Sequence, residues 1–231
     1  MFNAWMRVIS AGALLGLAST APAAIVIEAG DAGNLPATAQ VASGAGTLDA
    51  ISGTLASGTD VDVFAIVLGG GRTFSATTVG LTDVDTKLYL FDSTGRGVYT
   101  NDDEDVFTLQ STLPAGDLLT PLASGLYYLA ITSFDIDPVS LGGKIFPDPI
   151  FPDLVYGPTG PGGGSPVTGY TGSGESGAYT IALTGARFQG ATVVPEPGTL
   201  TSLGIAGLGL LGSGWRRRRS AIPGAVPRSG A

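Results

Sequence analysis

The stretch Val61–Leu68 reads VDVFAIVL, and it decides what kind of fold to expect. It is rich in β-branched and aromatic side chains, and it lies between Asp60 and the three glycines Gly69–Gly71. Runs of this length and composition between turn residues are typical of β-strands. The same pattern recurs as KLYLF at Lys87–Phe91 and as LYYLAIT at Leu126–Thr132. The sequence therefore predicts a body built from strands.

Further short runs on both sides of these three have a similar composition. The other predicted strands are Ile25–Glu28, Ala50–Leu55, Thr73–Val79, Gly97–Thr100, Val106–Leu109 and Ala178–Leu183. Such spacing is typical of two packed sheets. The 231 residues include 37 glycines and 15 prolines, and only 13% are charged, which disfavours long helices. We expect an all-β, jelly-roll-like β-sandwich of about 8–9 strands, flanked by an N-terminal signal helix and a C-terminal transmembrane helix.

A change in amino-acid composition divides the predicted body into two parts. Residues 24–58 supply N-terminal strands, and residues 59–190 supply the sandwich, interrupted at 138–177 by seven prolines and eleven glycines. This density of residues that break helices and strands predicts an irregular insertion.

Aromatic side chains on or beside the insertion either bind flat sugar faces and partner surfaces or pack the insertion onto the sandwich. These aromatic residues are Phe134, Phe146, Phe151, Tyr156 and Tyr170.

Residues 1–23 have the three parts of a secretory signal peptide. A short polar start contains Arg7, an apolar stretch follows, and Ala21 and Ala23 provide the small residues that signal peptidase requires before its cut. We therefore predict export and a cut near Ala24. The alternative is a buried N-terminal helix or a retained anchor.

The C-terminal region contains a second targeting signal. A linker at 191–198 leads into 199–215, which carries no charge, and a basic tail at 216–231 follows. Seventeen residues in a helix cover about 26 Å, close to the lower limit for a hydrocarbon layer of about 30 Å. Basic residues flanking a membrane span stay on the cytoplasmic side, so the body is expected outside the inner membrane.

This arrangement resembles the PEP-CTERM sorting signal of Gram-negative bacteria. The residues that carry the resemblance are Pro195, Glu196 and Pro197, the uncharged span after them, and Arg216, Arg217, Arg218 and Arg219. The resemblance implies transient retention in the inner membrane and processing near the Pro-Glu-Pro by an exosortase-type transpeptidase. Such proteins often occur in organisms that make exopolysaccharide. The alternative is an ordinary single-pass anchor.

The body resembles the bacterial pre-peptidase C-terminal domain, a small β-sandwich appended to many secreted proteins. The matching segments are Asp60–Phe64, Asp85–Asp92, Gly95, Asn101–Asp103 and Leu122–Leu129. The resemblance implies a sandwich fold, and some relatives of this family bind calcium.

The charge and the missing residue types exclude several classes of function. Nineteen acidic and five basic residues lie between residues 24 and 197, so a nucleic-acid partner is not expected. The chain has no cysteine and no histidine. Disulfides, the common zinc and haem sites, and the Ser-His-Asp and Cys-His catalytic arrangements are therefore excluded.

Clustered acids leave an oxygen-only calcium site open. Residues two apart on a strand share a face, so paired carboxylates repel one another unless water or a hard cation separates them. We predict Asp102, Asp103 and Asp85 as calcium ligands, with Asp60 and Asp62 as second choices. The alternative is that these acids cap turns and solvate loops.

These observations favour an exported, exosortase-sorted cell-surface or extracellular-matrix protein with a non-catalytic body, associated with exopolysaccharide or biofilm matrix. Its expected partners are signal peptidase, an exosortase-type enzyme and, transiently, the inner membrane. One alternative is a calcium-stabilised module that binds carbohydrate or protein. Another is a secreted hydrolase that uses two carboxylates, with Glu104 or Glu175 as the acid.

Overall fold

The structure, a computed structural model, describes residues 23–190, and every regular element in that range is a β-strand. The fourteen strands are β1 (Ile25–Ile27), β2 (Gln40–Val41), β3 (Ala50–Leu55), β4 (Val61–Leu68), β5 (Ser75–Thr77), β6 (Thr86–Asp92), β7 (Gly97–Asn101), β8 (Thr112–Leu113), β9 (Gly125–Ser133), β10 (Ile136–Ser140), β11 (Gly143–Lys144), β12 (Gly169–Gly172), β13 (Gly177–Thr184) and β14 (Ala186–Arg187). The all-β prediction is confirmed for this part of the chain. The predicted signal helix and transmembrane helix lie outside it.

Two large mixed sheets form the body. The first sheet has the order β1-β3-β13-β5-β8, and the second has the order β14-β4-β9-β6-β7, with β2 beside β4. Strand β1 runs parallel to β3 and β2 runs parallel to β4, whereas the other pairs in these two sheets are antiparallel. Over residues 23–190 no helix is long and apolar enough to cross a membrane.

The main hydrophobic core contains side chains from both large sheets. Along β13, Tyr179, Ile181 and Leu183 are buried and alternate with more exposed residues, as the period of two requires. From the second sheet, Phe64 and Ile66 belong to the same cluster and are fully buried. The body is therefore a β-sandwich-like arrangement.

The second sheet is also covered on its outer face. Strands β11, β10 and β12 form a small antiparallel sheet, and its neighbourhood contributes Phe146 to a second core with Tyr89 and Phe91 of β6. The ring centroids of Tyr89 and Phe146 are 5.5 Å apart, and those of Phe91 and Phe146 are 6.2 Å apart. Aromatic pairs at these separations stabilise beyond the area they bury. Cover on both faces leaves nearly every residue of β4 and β6 buried.

Three predictions were wrong. About 8–9 strands were expected, whereas residues 23–190 contain fourteen, because four two-residue strands, β2, β8, β11 and β14, form through tertiary pairings that local composition does not report. The insertion at 138–177 is not irregular throughout, since it includes β11, β12 and most of β10. Residues 106–109 were predicted as a strand, but they form a turn in which Thr108 donates its amide to the carbonyl of Asp105. Among the aromatics, Phe146 is buried and Tyr170 packs against the second core, whereas Phe134 and Phe151 remain about half exposed.

The strand register brings several acidic residues to one end of the sandwich. Val61 pairs with Thr132, and Thr86 pairs with Ser133, so β4 and β6 begin where β9 ends. Strand β7 ends at Asn101 on the same side because Asn101 pairs with Leu88. We call this side the acidic end, since Asp60, Asp85, Asp102 and Asp103 adjoin these strand termini.

Candidate functional site

Three carboxylates at the acidic end form a first cluster. Asp85 precedes β6, and Asp102 and Asp103 follow β7; one oxygen from each lies within 4.8 Å of the others. Backbone hydrogen bonds fix the loops that carry them, because Phe134 N donates to Asp85 O at 3.0 Å and Asp103 N donates to the carbonyl of Pro152 at 3.0 Å. The positions of these acids are therefore set by the hairpin of β6 and β7 and by the segments around Phe134 and Pro152 that contact it.

Two oxygens of the first cluster are buried without a hydrogen bond. Asp102 is 6% exposed and Asp103 is 8% exposed. Neither Asp102 Oδ1 nor Asp85 Oδ1 accepts a hydrogen bond from any described residue. A buried polar atom without a partner costs about 1–3 kcal/mol, and more if it is charged. A hard cation bound by oxygen ligands would satisfy both atoms, so this donor set fits calcium.

Burial raises the pKa values of the first cluster. It raises the pKa of Asp102 to about 7 against the opposing charge of Lys87, with Asp103 and Asp85 adding to the rise. Burial, together with the charges of Asp103 and Glu175, raises the pKa of Asp85 to about 6. The pKa of Asp103 is also raised, mainly by burial. Without a cation, this site resists carrying its full negative charge.

Lys87 compensates for only part of that charge. Its buried Nζ lies 3.7 Å from Asp102 Oδ2 but only 3.1 Å from Asp137 Oδ1, to which it donates a hydrogen bond. Asp137 also accepts hydrogen bonds from Tyr89 and Lys144. Although burial opposes it, Lys87 and Lys144 together hold the pKa of Asp137 below its usual range. Lys87 is thus shared, and its closer partner is Asp137.

A second cluster joins Asp31, Asp60 and Asp62, whose oxygens also lie within 4.8 Å of one another. Asp62 lies on β4 and is fully buried. Its Oδ2 accepts a hydrogen bond from the Tyr179 hydroxyl at 2.8 Å. Its Oδ1 accepts no hydrogen bond from the described part of the chain. Burial raises the pKa of Asp62 to about 7, with the charges of Glu28 and Asp60 contributing to the rise. This site also fits a cation.

Sequence reasoning missed Asp31 and Glu28. Both lie just after β1, and Glu28 accepts backbone hydrogen bonds from Ala32 at 3.3 Å and from Thr54 at 2.7 Å. They reach the acidic end because β1 pairs in parallel with β3, a contact between segments about 25 residues apart. No local sequence motif predicts that two short strands will pair in parallel.

The structure brings together Asp85, Asp102 and Asp103, the three residues predicted first as ligands, in one cluster. It places the second choices, Asp60 and Asp62, in the other cluster. Whether either cluster binds calcium stays a prediction.

With calcium chelated, the stability of the body is expected to fall as pH rises from about 4 to about 8. The folded-state pKa values of Asp62, Asp85 and Asp102 lie near 6 to 7, above the unfolded value of about 4. Groups shifted in this direction stabilise the fold fully below the unfolded pKa and lose that contribution as pH rises through the folded pKa. Thermal unfolding in chelator at pH 5 and pH 8 measures this, and a higher Tm at pH 8 would contradict it.

Replacing Tyr179 by Phe is expected to lower the free energy of unfolding by about 1–3 kcal/mol, because it leaves the second buried oxygen of Asp62 without a donor. Tyr127→Phe is the matched control, since the Tyr127 hydroxyl donates to a carbonyl in a more exposed contact. Urea unfolding of the two variants measures the difference. Equal effects of the two substitutions would show that the Asp62 hydrogen bond is not special.

Comparison with known proteins identifies one segment. Residues 193–219 match the PEP-CTERM protein-sorting motif. This confirms the predicted sorting signal, which lies outside the described residues. No curated protein and no solved structure matches the chain. The resemblance of the body to the pre-peptidase C-terminal domain therefore stays a prediction.

Proposed function

We propose that this chain is the precursor of a cell-surface or extracellular-matrix protein whose β-body associates with exopolysaccharide and has no catalytic activity. The observation that carries the proposal is the match of residues 193–219 to the PEP-CTERM protein-sorting motif, which is a signal for exosortase-sorted export. Processing by an exosortase, a membrane enzyme, follows from the motif. The matrix role and the polysaccharide partner are our extension of it.

The route that we propose has three steps. Signal peptidase removes residues 1–23, and the uncharged span at 199–215 holds the precursor in the inner membrane with Arg216–Arg219 on the cytoplasmic side. An exosortase-type enzyme then acts near Pro195–Pro197 and frees the body from its anchor. The acidic body suits this route, because it carries few basic residues that would bind nucleic acid or anionic lipid.

A non-catalytic role is supported by the chemistry that the body contains. It has no histidine or cysteine to serve as a base or nucleophile. Its closest groups of carboxylates, at the acidic end, have oxygens within 4.8 Å of one another, a spacing that suits shared coordination of one cation. We therefore assign these acids to structure. A hydrolase that uses two carboxylates is the alternative, and hydrolysis of a polysaccharide by the purified body would establish it.

We further propose that the body is a calcium-stabilised module. The specific support is the presence, in both clusters, of a buried carboxylate with an oxygen that accepts no hydrogen bond from residues 23–190, Asp102 in one and Asp62 in the other. Bound calcium would neutralise these carboxylates and hold the loops that bear them. Extracellular calcium modules bind with dissociation constants of about 10⁻⁴–10⁻³ M, which suits a site that fills after export.

Mass spectrometry of the protein recovered from intact cells, culture medium and matrix tests the main proposal. We expect a chain that lacks residues 1–23 and ends near Pro195–Pro197, found at the surface or in the matrix. We also expect the purified body to sediment with exopolysaccharide from the same organism. Full-length protein in the cytosol would overturn export, whereas correct processing without sedimentation would overturn only the polysaccharide association.

A further inference from the structure

The first residues of the described chain make a reciprocal contact that export chemistry would change. The backbone nitrogen of Ala24 donates to Asp49 Oδ2 at 2.9 Å, and the backbone nitrogen of Asp49 donates to the carbonyl of Ala24 at 2.9 Å. The carboxylate contact is partly buried. Residue 24 is thus bound at both its nitrogen and its carbonyl by a single aspartate.

The surrounding strands fix this contact. Ala24 precedes β1 and Asp49 precedes β3, and the parallel register pairs Ile25 with Ala50 immediately afterwards. Val26 of β1 is 7% exposed and belongs to the main core. On its other side, the Asp49 carbonyl accepts a hydrogen bond from Leu183 of β13 at 2.9 Å. The carboxylate therefore meets residue 24 at a position set by packing.

We infer that signal peptidase cuts the peptide bond between Ala23 and Ala24, and that Asp49 binds the α-ammonium group which this cut creates. Hydrolysis of that bond adds water, leaving a carboxylate on Ala23 and an ammonium group on Ala24. The small residues Ala21 and Ala23 occupy the positions that the enzyme requires before such a cut. The inference rests on the proposed export.

The cut converts a hydrogen bond between a neutral amide and the Asp49 carboxylate into an ion pair. An amide nitrogen at residue 24 offers Asp49 one uncharged donor, whereas an ammonium group offers a positively charged one, so that both partners of the contact are ionised. A cut one residue away would displace the charge by about 3.8 Å, out of hydrogen-bond range. The position of the processing site is thus matched to the start of β1.

This ion pair would hold the segment that carries part of the second cluster. Strand β1 occupies the edge of the first sheet and is three residues long, and it is held by its pairing with β3 and by the burial of Val26. The ion pair would add to these contacts at the start of the strand. Glu28 and Asp31 follow directly, and Asp31 belongs to the second cluster. Anchoring Ala24 therefore also positions the acids at the other end of β1.

A cycle of two changes on the exported, signal-cleaved protein tests the inference. Mass spectrometry first identifies its N-terminal residue. The α-amino group is then acetylated near pH 6.5, where lysine is far more fully protonated than an α-amine with a pKa of about 7.7–8.0. We expect acetylation to lower the Tm of the natural protein by about 2–4 °C and Asp49→Asn to lower it similarly. Acetylation of Asp49→Asn should then have almost no further effect.

Asp135→Asn is the matched control, because Asp135 is exposed and lies at the acidic end. Its effect and that of acetylation should simply add. If the exported protein begins at another residue, or if the effects of acetylation and Asp49→Asn also add, this inference is overturned while export stands. If the chain is found uncut in the cytosol, the inference and the proposed function fall together.

Discussion

Calcium is expected to raise the Tm of the exported body by roughly 5–10 °C for each site that it fills at a hundredfold excess over its dissociation constant. The reason is that the folded body gathers carboxylates which the unfolded chain keeps apart, so an ion that they hold would bind the folded state preferentially. Asp102 and Asp62 are buried with an oxygen that no described donor satisfies. Differential scanning calorimetry in chelator and over a calcium titration measures the shift.

Two substitutions separate the clusters. Asp102→Asn should abolish the response of the first cluster, and Asp62→Asn should abolish that of the second, leaving about half of the total shift in each variant. In chelator at pH 8, where no calcium is bound, Asp102→Asn should stabilise the body instead of weakening it. It removes a buried carboxylate whose pKa is raised to about 7 and which is therefore mostly ionised at pH 8, so the Tm should rise. Lys87 keeps its closer partner, Asp137.

Glu104→Gln is the control for these measurements. Glu104 is exposed and lies on the same loop as Asp103, so the substitution removes one negative charge near the first cluster without removing one of its members. It should leave the calcium response unchanged. If calcium fails to raise the Tm of the natural body, or raises it equally in all three variants, specific binding at the clusters is refuted.

Replacing Pro195, Glu196 and Pro197 by alanine is expected to stop C-terminal processing almost completely. These residues lie within the segment that matches the sorting motif, at 193–219, together with the uncharged span and the arginine cluster. The span remains intact in the variant, so the protein should still reach the inner membrane and accumulate there as a longer chain. Cell fractionation with intact-mass measurement distinguishes this precursor from the processed protein.

Two prolines beyond the motif provide a control of the same chemical kind. Pro223→Ala and Pro227→Ala lie in the basic tail, after residue 219, and should leave processing intact. Deleting the exosortase-type enzyme of the host should reproduce the triple-alanine result with the natural chain. Normal release of the triple-alanine variant would show that the match marks an ordinary anchor.

The central strands could be predicted because local composition determines them. The predicted bounds of β3 and β4 agree with the structure, and β13 differs by a single residue at each end. The insertion could not be predicted in this way. Its strands β11 and β12 are two and four residues long, and their pairing with β10 depends on covering the outer face of the second sheet. Composition does not report such a long-range contact.

The residues of the two acidic clusters show the same contrast between local sequence and long-range contacts. Asp85, Asp102 and Asp103 were predicted from the clustering of acids along the sequence. The structure brings them together because β6 and β7 form a hairpin, so residues at its open end are neighbours. Asp31 joins Asp60 and Asp62 through tertiary contacts, namely the parallel pairing of β1 with β3 and the hydrogen bond from Val63 N to Gly33 O at 3.0 Å. Residues that meet across a hairpin can be found from sequence spacing, whereas those that meet across a parallel edge need the tertiary structure.

The small sheet from the insertion has a consequence for any attempt to trim this protein. Residues from 136–167 cover Tyr89, Phe91 and Val63. Shortening that region would therefore expose a hydrophobic patch on the second sheet. Surfaces of this kind promote self-association of secreted proteins. The proline-and-glycine-rich stretch therefore covers the outer face of the second sheet, and a minimal version of the body should retain it to avoid self-association.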